Sequence, residues 1–83
     1  MKEKEKNFIK KFANSGLTVR VLLGERSNNV LHIKGNRLIA PLSMDFETFK
    51  IIEPYLSEQK SLTEKELFER LEQIEKIFTL TVL

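Results

Sequence analysis

The stretch VRVLLGERSNNVLHIKGNRLIA, from Val19 to Ala40, decides the fold. Apolar and polar residues alternate in three short runs, which is the period of a β-strand with one buried face. Gly35-Asn36 joins the second run to the third and is typical of a two-residue hairpin turn. The segment GERSNN between the first two runs has the composition of a loop. The stretch therefore predicts a three-stranded antiparallel meander, with strands at residues 17–23, 30–34 and 37–41.

The register of this meander follows from keeping apolar residues on one face. The two-residue turn places Lys34 opposite Arg37. In the first hairpin, pairing Val21 with Leu31 sets apolar side chains opposite each other. A shift by one residue would set Val21 beside His32 instead. We therefore predict the register that pairs Val21 with Leu31.

The opposite face of the predicted sheet changes from apolar side chains at one end to cationic side chains at the other. The ordinary interpretation is a half-solvated sheet whose long basic side chains cover apolar neighbours. The functional interpretation is a contact patch, because exposed apolar groups beside arginine are typical of interfaces. On this second interpretation we select five candidate partner-binding residues: Arg20, Leu22, Lys34, Arg37 and Ile39.

Amphipathic helices are predicted on both sides of the meander. Residues 4–14 place apolar side chains at helical spacing among lysines, and Gly16 supplies the stop. A second helix follows Ser43 or Asp45, since either side chain can cap its first turn. Pro54 then kinks or ends that helix.

The C-terminal part of the chain contains the clearest local signal. Thr63 followed by Glu66 forms the pattern of a capping box, with Leu62 and Leu67 at the positions of a hydrophobic staple. A third helix is therefore predicted to begin after Thr63. The final segment IFTLTVL alternates and contains β-branched residues, so residues 78–83 stay open between a strand and further helix.

Length and composition indicate the class of protein. A chain of 83 residues forms one domain with one core. Without cysteine it has no disulfide, thiolate nucleophile or sulfur ligand, which fits a reducing compartment. No apolar run approaches the roughly 18 residues of a membrane span, and the start MKEKEKNF lacks the apolar core of a signal peptide. We expect a single-domain cytoplasmic protein, residues 1–83, outside the membrane.

No group of residues indicates catalysis. His32 is the only histidine, and no cysteine or predicted serine accompanies it as a nucleophile. A metal site needs several converging ligands, which one histidine and helix-surface carboxylates do not supply. Gly16, Gly24 and Gly35 lie in separate turns and form no phosphate-binding loop. We expect no enzymatic activity, no metal and no cofactor.

Nucleic-acid binding is the alternative function. Residues 1–41 hold 9 basic and 3 acidic groups, whereas residues 42–83 hold 5 basic and 9 acidic groups. The basic N-terminal half can neutralise phosphates. Against this, the outer sheet face has no aromatic side chain for base stacking, and all six phenylalanines fall at core spacings. The N-terminal lysines are interpreted first as a solvated helix surface.

Two resemblances concern the order of elements. Helix, three strands, helix resembles the double-stranded RNA-binding domain, which implies RNA binding. That family contacts phosphates through a lysine-rich motif opening its last helix, whereas SMDFETF and SLTEKEL are acidic here. Helix, three strands and two helices is also similar, over nearly the whole chain, to one of the small phage-encoded inhibitors of CRISPR nucleases. That inhibitor is strongly acidic and this chain is slightly basic, so no mechanism or site residue transfers.

These patterns together predict an α+β fold. It comprises an N-terminal helix, a three-stranded antiparallel meander and two C-terminal helices on one sheet face, with a short C-terminal strand left open. We expect a small non-enzymatic protein-interaction module, a regulator or inhibitor of phage or mobile-element type that binds another protein. A homodimer through the outer sheet face or the last strand is a third alternative. The predicted core is Phe8, Ile9, Phe12, Val19, Val21, Leu31, Ile33, Leu38, Phe46, Phe49, Ile52, Leu67, Leu71 and Ile74.

Overall fold

The computed structural model describes residues 1–83 and has the predicted α+β architecture. The elements are α1 (Glu3–Ala13), β1 (Val19–Leu23), β2 (Val30–Lys34), β3 (Arg37–Ile39), α2 (Phe46–Ile52), a short 3-10 helix (Glu53–Tyr55), α3 (Glu64–Glu75) and β4 (Leu80–Val82). The four strands form one antiparallel sheet in the order β3-β2-β1-β4, and the helices lie on one of its faces.

The predicted register of the meander is confirmed. Val21 lies opposite Leu31, and Lys34 lies opposite Arg37. Gly35 and Asn36 both have φ of 56°, the left-handed conformation that a primed two-residue turn requires at both positions. The turn therefore fixes the β2–β3 hairpin, and the burial of alternate residues fixes its orientation toward the core.

The open question at the C-terminus is resolved as a strand. Residues Leu80–Val82 form β4, which pairs antiparallel with β1 and places Val82 opposite Val21. Leu80 is buried beneath the helices, whereas the next residue of the strand, Thr81, is exposed. The alternation of apolar and polar residues after α3 is therefore the alternation of an edge strand.

The core consists of apolar side chains from the inner face of the sheet and from all three helices. Twelve of the fourteen residues predicted for the core lie in it or pack against it. Phe8 and Phe46 are wrong, because their side chains are 41% and 68% exposed. In α1 only Ile9 and Ala13 are buried, since the stripe of this helix that contacts the core is narrow. Phe8 lies at the margin of the stripe beside Phe12, and the centroids of the two rings are 4.7 Å apart. The further members of the core are Ala13, Leu23, Met44, Leu62 and Leu80.

Phe46 is exposed because of its place in α2. It is the first residue of this short helix, whose buried positions are Thr48 and Ile52. Asp45 stands at the N-cap but makes no capping hydrogen bond; its carboxylate accepts one from Arg26 at 3.0 Å instead. The α-helix ends at Ile52, and Pro54 belongs to the 3-10 helix that follows.

The capping box of α3 is present as predicted. The Thr63 hydroxyl accepts a hydrogen bond from the Glu66 backbone N–H, and the Glu66 carboxylate accepts one from the Thr63 backbone N–H, both at 3.1 Å. The bond from the Thr63 backbone, together with the Thr63 side chain, holds the pKa of Glu66 below its ordinary value of 4.5. Leu67, Leu71 and Ile74 follow on the buried side of this helix.

Candidate functional site

The outer face of the sheet brings the five candidate partner-binding residues together. Strands alternate their side chains between faces, so burial of the neighbouring residues in β1, β2 and β3 turns these five outward. Arg20 and Lys34 are exposed, whereas the other three are half-buried among their neighbours. The outward residues of the three strands are Arg20, Leu22, Val30, His32, Lys34, Arg37 and Ile39.

Cross-strand pairing arranges these residues in rows. Leu22 lies opposite Val30 in an apolar row. The next row contains Arg20, His32 and Ile39, in that order across three strands. At the far end Lys34 lies opposite Arg37, whose Nε donates a hydrogen bond to the Lys34 carbonyl at 3.3 Å. The predicted change from apolar to cationic side chains therefore runs along the strands.

Strand β4 adds a fourth column that the three-stranded prediction lacked. Thr81 lies opposite Leu22 on the outer face. The backbone N–H of Leu83 donates to the Arg20 carbonyl at 2.9 Å, which places Leu83 beside Arg20. Its side chain is 53% exposed and lines a surface depression together with Phe8 of α1. The signal for this column was the alternation in IFTLTVL, but its partner strand was not predictable from local sequence.

The outer face carries positive charge without nearby carboxylates. No strand contains an acidic residue. The five ion pairs of the chain all lie elsewhere, so Arg20, Lys34 and Arg37 form none. Like charges directly opposite each other, as Lys34 and Arg37 are, destabilise a sheet. The cationic end of this face therefore has no carboxylate partner within the chain.

Two of the four lysines of α1 have different surroundings. Lys6 Nζ lies 3.9 Å from a carboxylate oxygen of Glu72, and Lys10 Nζ lies 3.6 Å from one of Glu64. The amino group of Met1 forms a hydrogen-bonded ion pair of 2.6 Å with Glu75. Helix α3 thus neutralises part of the charge of the basic N-terminal segment. Sequence alone did not reveal this, because it does not show that α1 and α3 are neighbours.

An apolar hollow adjoins the end of β3. It has a volume of about 280 Å³ and begins at Ala40 and Pro41, directly after the strand. Leu42 is fully exposed at its rim, and the misassigned Phe46 lies beside it. Met44 and Phe49 complete the lining. The hollow was not predicted, because Pro41 was assigned to the third strand, whereas β3 ends at Ile39.

The structure shows no set of side chains arranged for metal binding, since no three His, Asp or Glu residues converge. His32 lies between Arg20 and Ile39 on the outer face. No helix is both long and apolar enough to cross a membrane.

Fold and surface together define an α+β protein with an open sheet face that is cationic at one end and apolar at the other. Comparisons with protein-family models, with curated proteins and with solved structures found no match.

Proposed function

We propose that this chain is a non-enzymatic regulator or inhibitor that binds an acidic surface of another protein through the outer face of its sheet. The residues that make the contact are Arg20, Leu22, Lys34, Arg37 and Ile39. Arg20, Lys34 and Arg37 face carboxylates of the partner, and Leu22 and Ile39 lie against apolar groups. The protein acts by occupying the partner's surface.

One observation carries this proposal: three cations share a face that has no carboxylate. A chain with 12 acidic residues pairs none of them with these cations, although it pairs Lys6 and Lys10 of α1. A cross-strand pair of like charges costs stability and contributes nothing to the core. A partner that supplies the missing carboxylates relieves this repulsion on binding, which gives the face specificity for acidic surfaces.

The apolar end of the face supports a protein as the partner. Leu22, Val30 and Ile39 are half-buried but have no helix over them. Protein interfaces combine an apolar centre with arginine and a polar rim, and the outer face has this composition. The unpartnered cations equally support nucleic-acid binding, which remains the second candidate. That candidate has less support, since the face has no aromatic residue for base stacking and α3 already pairs Lys6 and Lys10.

The test is an affinity purification of the tagged chain from its own cells after nuclease treatment, with quantification of each retained protein. The double variant Leu22→Glu/Ile39→Glu places two carboxylates on the outer face. We expect it to remain folded and to lose at least about tenfold of the retained partner, because it repels an acidic surface and disrupts the apolar contact.

A matched control separates this effect from a general change of charge. The variant Lys2→Gln/Lys11→Gln removes the same two charge units from the N-terminal segment, where neither lysine side chain forms an ion pair. It should retain the partner as the unchanged chain does. Retention of the partner by the glutamate variant would exclude the outer face. Loss of all bound material with nuclease, or loss in the lysine variant alone, would favour nucleic acid.

A further inference from the structure

The two edge strands of the sheet, β3 and β4, differ in whether their outward backbone groups are hydrogen-bonded. The edge at β3 is closed by a loop: the Leu38 N–H donates to the Ser57 hydroxyl at 2.7 Å, and the backbone N–H groups of Ser57 and Glu58 donate to the Leu38 carbonyl. The following residues bond to the hairpin turn, with the Leu62 N–H donating to the Asn36 carbonyl at 2.8 Å. Residues 57–62 therefore prevent another strand from pairing with β3.

The edge at β4 is open. The Gly24 N–H donates to the Thr79 carbonyl, and the Leu83 N–H donates to the Arg20 carbonyl. Residues of an antiparallel pair alternate in the direction of their backbone groups, so Thr79, Thr81 and Leu83 direct theirs toward β1. Leu80 and Val82 consequently direct their N–H and C=O groups away from the sheet, and no loop of the chain bonds to them.

Two of the usual protections of an edge strand are missing at β4, which is protected only by its short length of three residues. The strand contains no charge and no proline. A shallow surface depression beside the edge is lined by Phe8, Val82 and Leu83, together with Lys4 and Glu5 of α1. Phe8 and Leu83 are 41% and 53% exposed, so apolar surface lies next to the unpaired backbone groups.

We propose that this edge binds a second copy of the chain. The two β4 strands pair antiparallel about a two-fold axis at Thr81, so that Leu80 of each copy exchanges two backbone hydrogen bonds with Val82 of the other. The two four-stranded sheets then form one continuous sheet. Phe8 and Leu83 of both copies are covered beside the new strand pair. The dimer places the outer faces of both copies on the same side of the continuous sheet. The proposed function uses only one such face, so the dimer goes beyond it.

Repulsion between cations favours a dimer through the β4 edges over a dimer through the outer faces. Face-to-face pairing would bring Arg20, Lys34 and Arg37 of one copy against the same cations of the other. Edge pairing keeps the two Arg20 residues three strand spacings apart, about 14 Å or more at about 4.8 Å per strand. That distance exceeds the screening length of about 8 Å in physiological salt.

The test is sedimentation equilibrium of the full chain over a range of concentrations. We expect a mass that rises from 9.7 kDa toward twice that value as concentration increases. Val82→Pro removes an N–H that points out of the sheet and leaves the ladder to β1 intact. Val82→Ala is the matched control, since it removes side-chain packing but keeps the N–H. Val82→Pro should raise the dissociation constant about tenfold or more over Val82→Ala, because two of the four interchain bonds are lost.

A second measurement keeps the proposal testable if Val82→Pro unfolds. Hydrogen exchange of the Leu80 and Val82 amides in the unchanged chain should slow at least tenfold between dilute and concentrated samples, whereas the Thr81 amide is protected at both. A monomer mass at all concentrations up to about 1 mM, or a concentration-independent exchange rate, would overturn the proposal. So would equal association of the two Val82 variants. Association that Leu22→Glu/Ile39→Glu abolishes but Val82→Pro does not would overturn it in favour of the face-to-face dimer.

Discussion

The two faces of the sheet are built from alternate residues of the same strands, yet they are under different constraints. On the inner face, Val21, Leu31 and Ile33 are fully buried beneath the helices. On the outer face, the adjacent Leu22 and Lys34 have no covering element. A single step along a strand therefore passes from a position that the fold needs to one that it does not.

This difference shows where function can be sought. A residue on the inner face is explained by packing, and its replacement changes stability. The pairing of Lys34 with Arg37 on the outer face has no such explanation, because it opposes folding slightly. A feature that lowers the stability of the fold indicates a function in contact with another molecule. Three predictions test how far the two faces differ.

The largest effect is expected from Leu31→Ala on the inner face. It leaves a cavity among the helices and should lower the free energy of unfolding by about 2–5 kcal/mol. The neighbouring Val30→Ala on the outer face should cost about 1 kcal/mol or less, mostly through strand propensity. Urea denaturation of both variants measures the contrast, and Ile33→Val, at about 0.5–1.5 kcal/mol, replaces Leu31→Ala if too little folded protein remains. Equal losses at residues 30 and 31 would mean that the outer face is also packed.

The sequence predicted the sheet well because strand alternation and turn chemistry are local. Val19 to Ala40 contains both strand pairings and the turn between β2 and β3, so the register followed from face consistency alone. The prediction that Phe8 lies in the core was wrong, because spacing shows which residues share a helix face. It does not show how wide a stripe of that face contacts the sheet. The β1–β4 pairing could not be predicted, since it joins residues about 60 positions apart.

The second prediction concerns Thr63, which fixes the start of α3 over the inner face. Thr63→Ala should cost about 1 kcal/mol, within a range of about 0.5–2, because it removes the hydroxyl that accepts the Glu66 N–H. Thr63→Ser keeps a hydroxyl at the same position and should cost much less. Urea denaturation at neutral pH measures the difference. Equal stability of the alanine variant and the unchanged chain would show that water satisfies the helix end.

The effect of Thr63→Ala should also depend on pH. The folded state lowers the pKa of Glu66 below 4.5, so the ionised carboxylate stabilises the fold. This contribution is fully present above pH 4.5, the ordinary value, and is lost as pH falls through the lowered pKa. Thr63→Ala keeps the backbone N–H that contributes most to the lowered pKa and loses only the contribution of the Thr63 side chain. The stability difference between the unchanged chain and Thr63→Ala should therefore shrink in acid by that side-chain contribution alone. A difference that stays constant below pH 4.5 would show that the Thr63 side chain does not stabilise the ionised carboxylate.

The candidate site was predictable in part for the same reason as the fold. Strand parity requires that Arg20, Leu22, Lys34, Arg37 and Ile39 share one face once the register is known. The absence of carboxylates from that face was also readable from the strand sequences. What could not be predicted was that α3 supplies glutamates to Lys6 and Lys10 but none to the sheet. That distinction depends on which helices are neighbours.

The smallest effect, and the most informative for function, is expected from Lys34→Glu. It replaces the like-charge pair with a carboxylate opposite Arg37 and should raise the free energy of unfolding by about 0.2–1 kcal/mol. Lys10→Glu is the matched control with the same change of charge on α1. It replaces the pair with Glu64 by two like charges and should lower stability by a few tenths of a kcal/mol.

Binding should change in the opposite direction. Lys34→Glu removes a cation from the proposed contact, so the nuclease-resistant partner should be retained less by the more stable variant. Lys10→Glu should retain it as the unchanged chain does, despite its lower stability. A general loss of folded protein would reduce binding and stability together. A gain in stability with a loss of binding would therefore assign Lys34 to the interface. A Lys34→Glu chain that is less stable would instead show that Lys34 supports the fold, and that its place opposite Arg37 needs no partner.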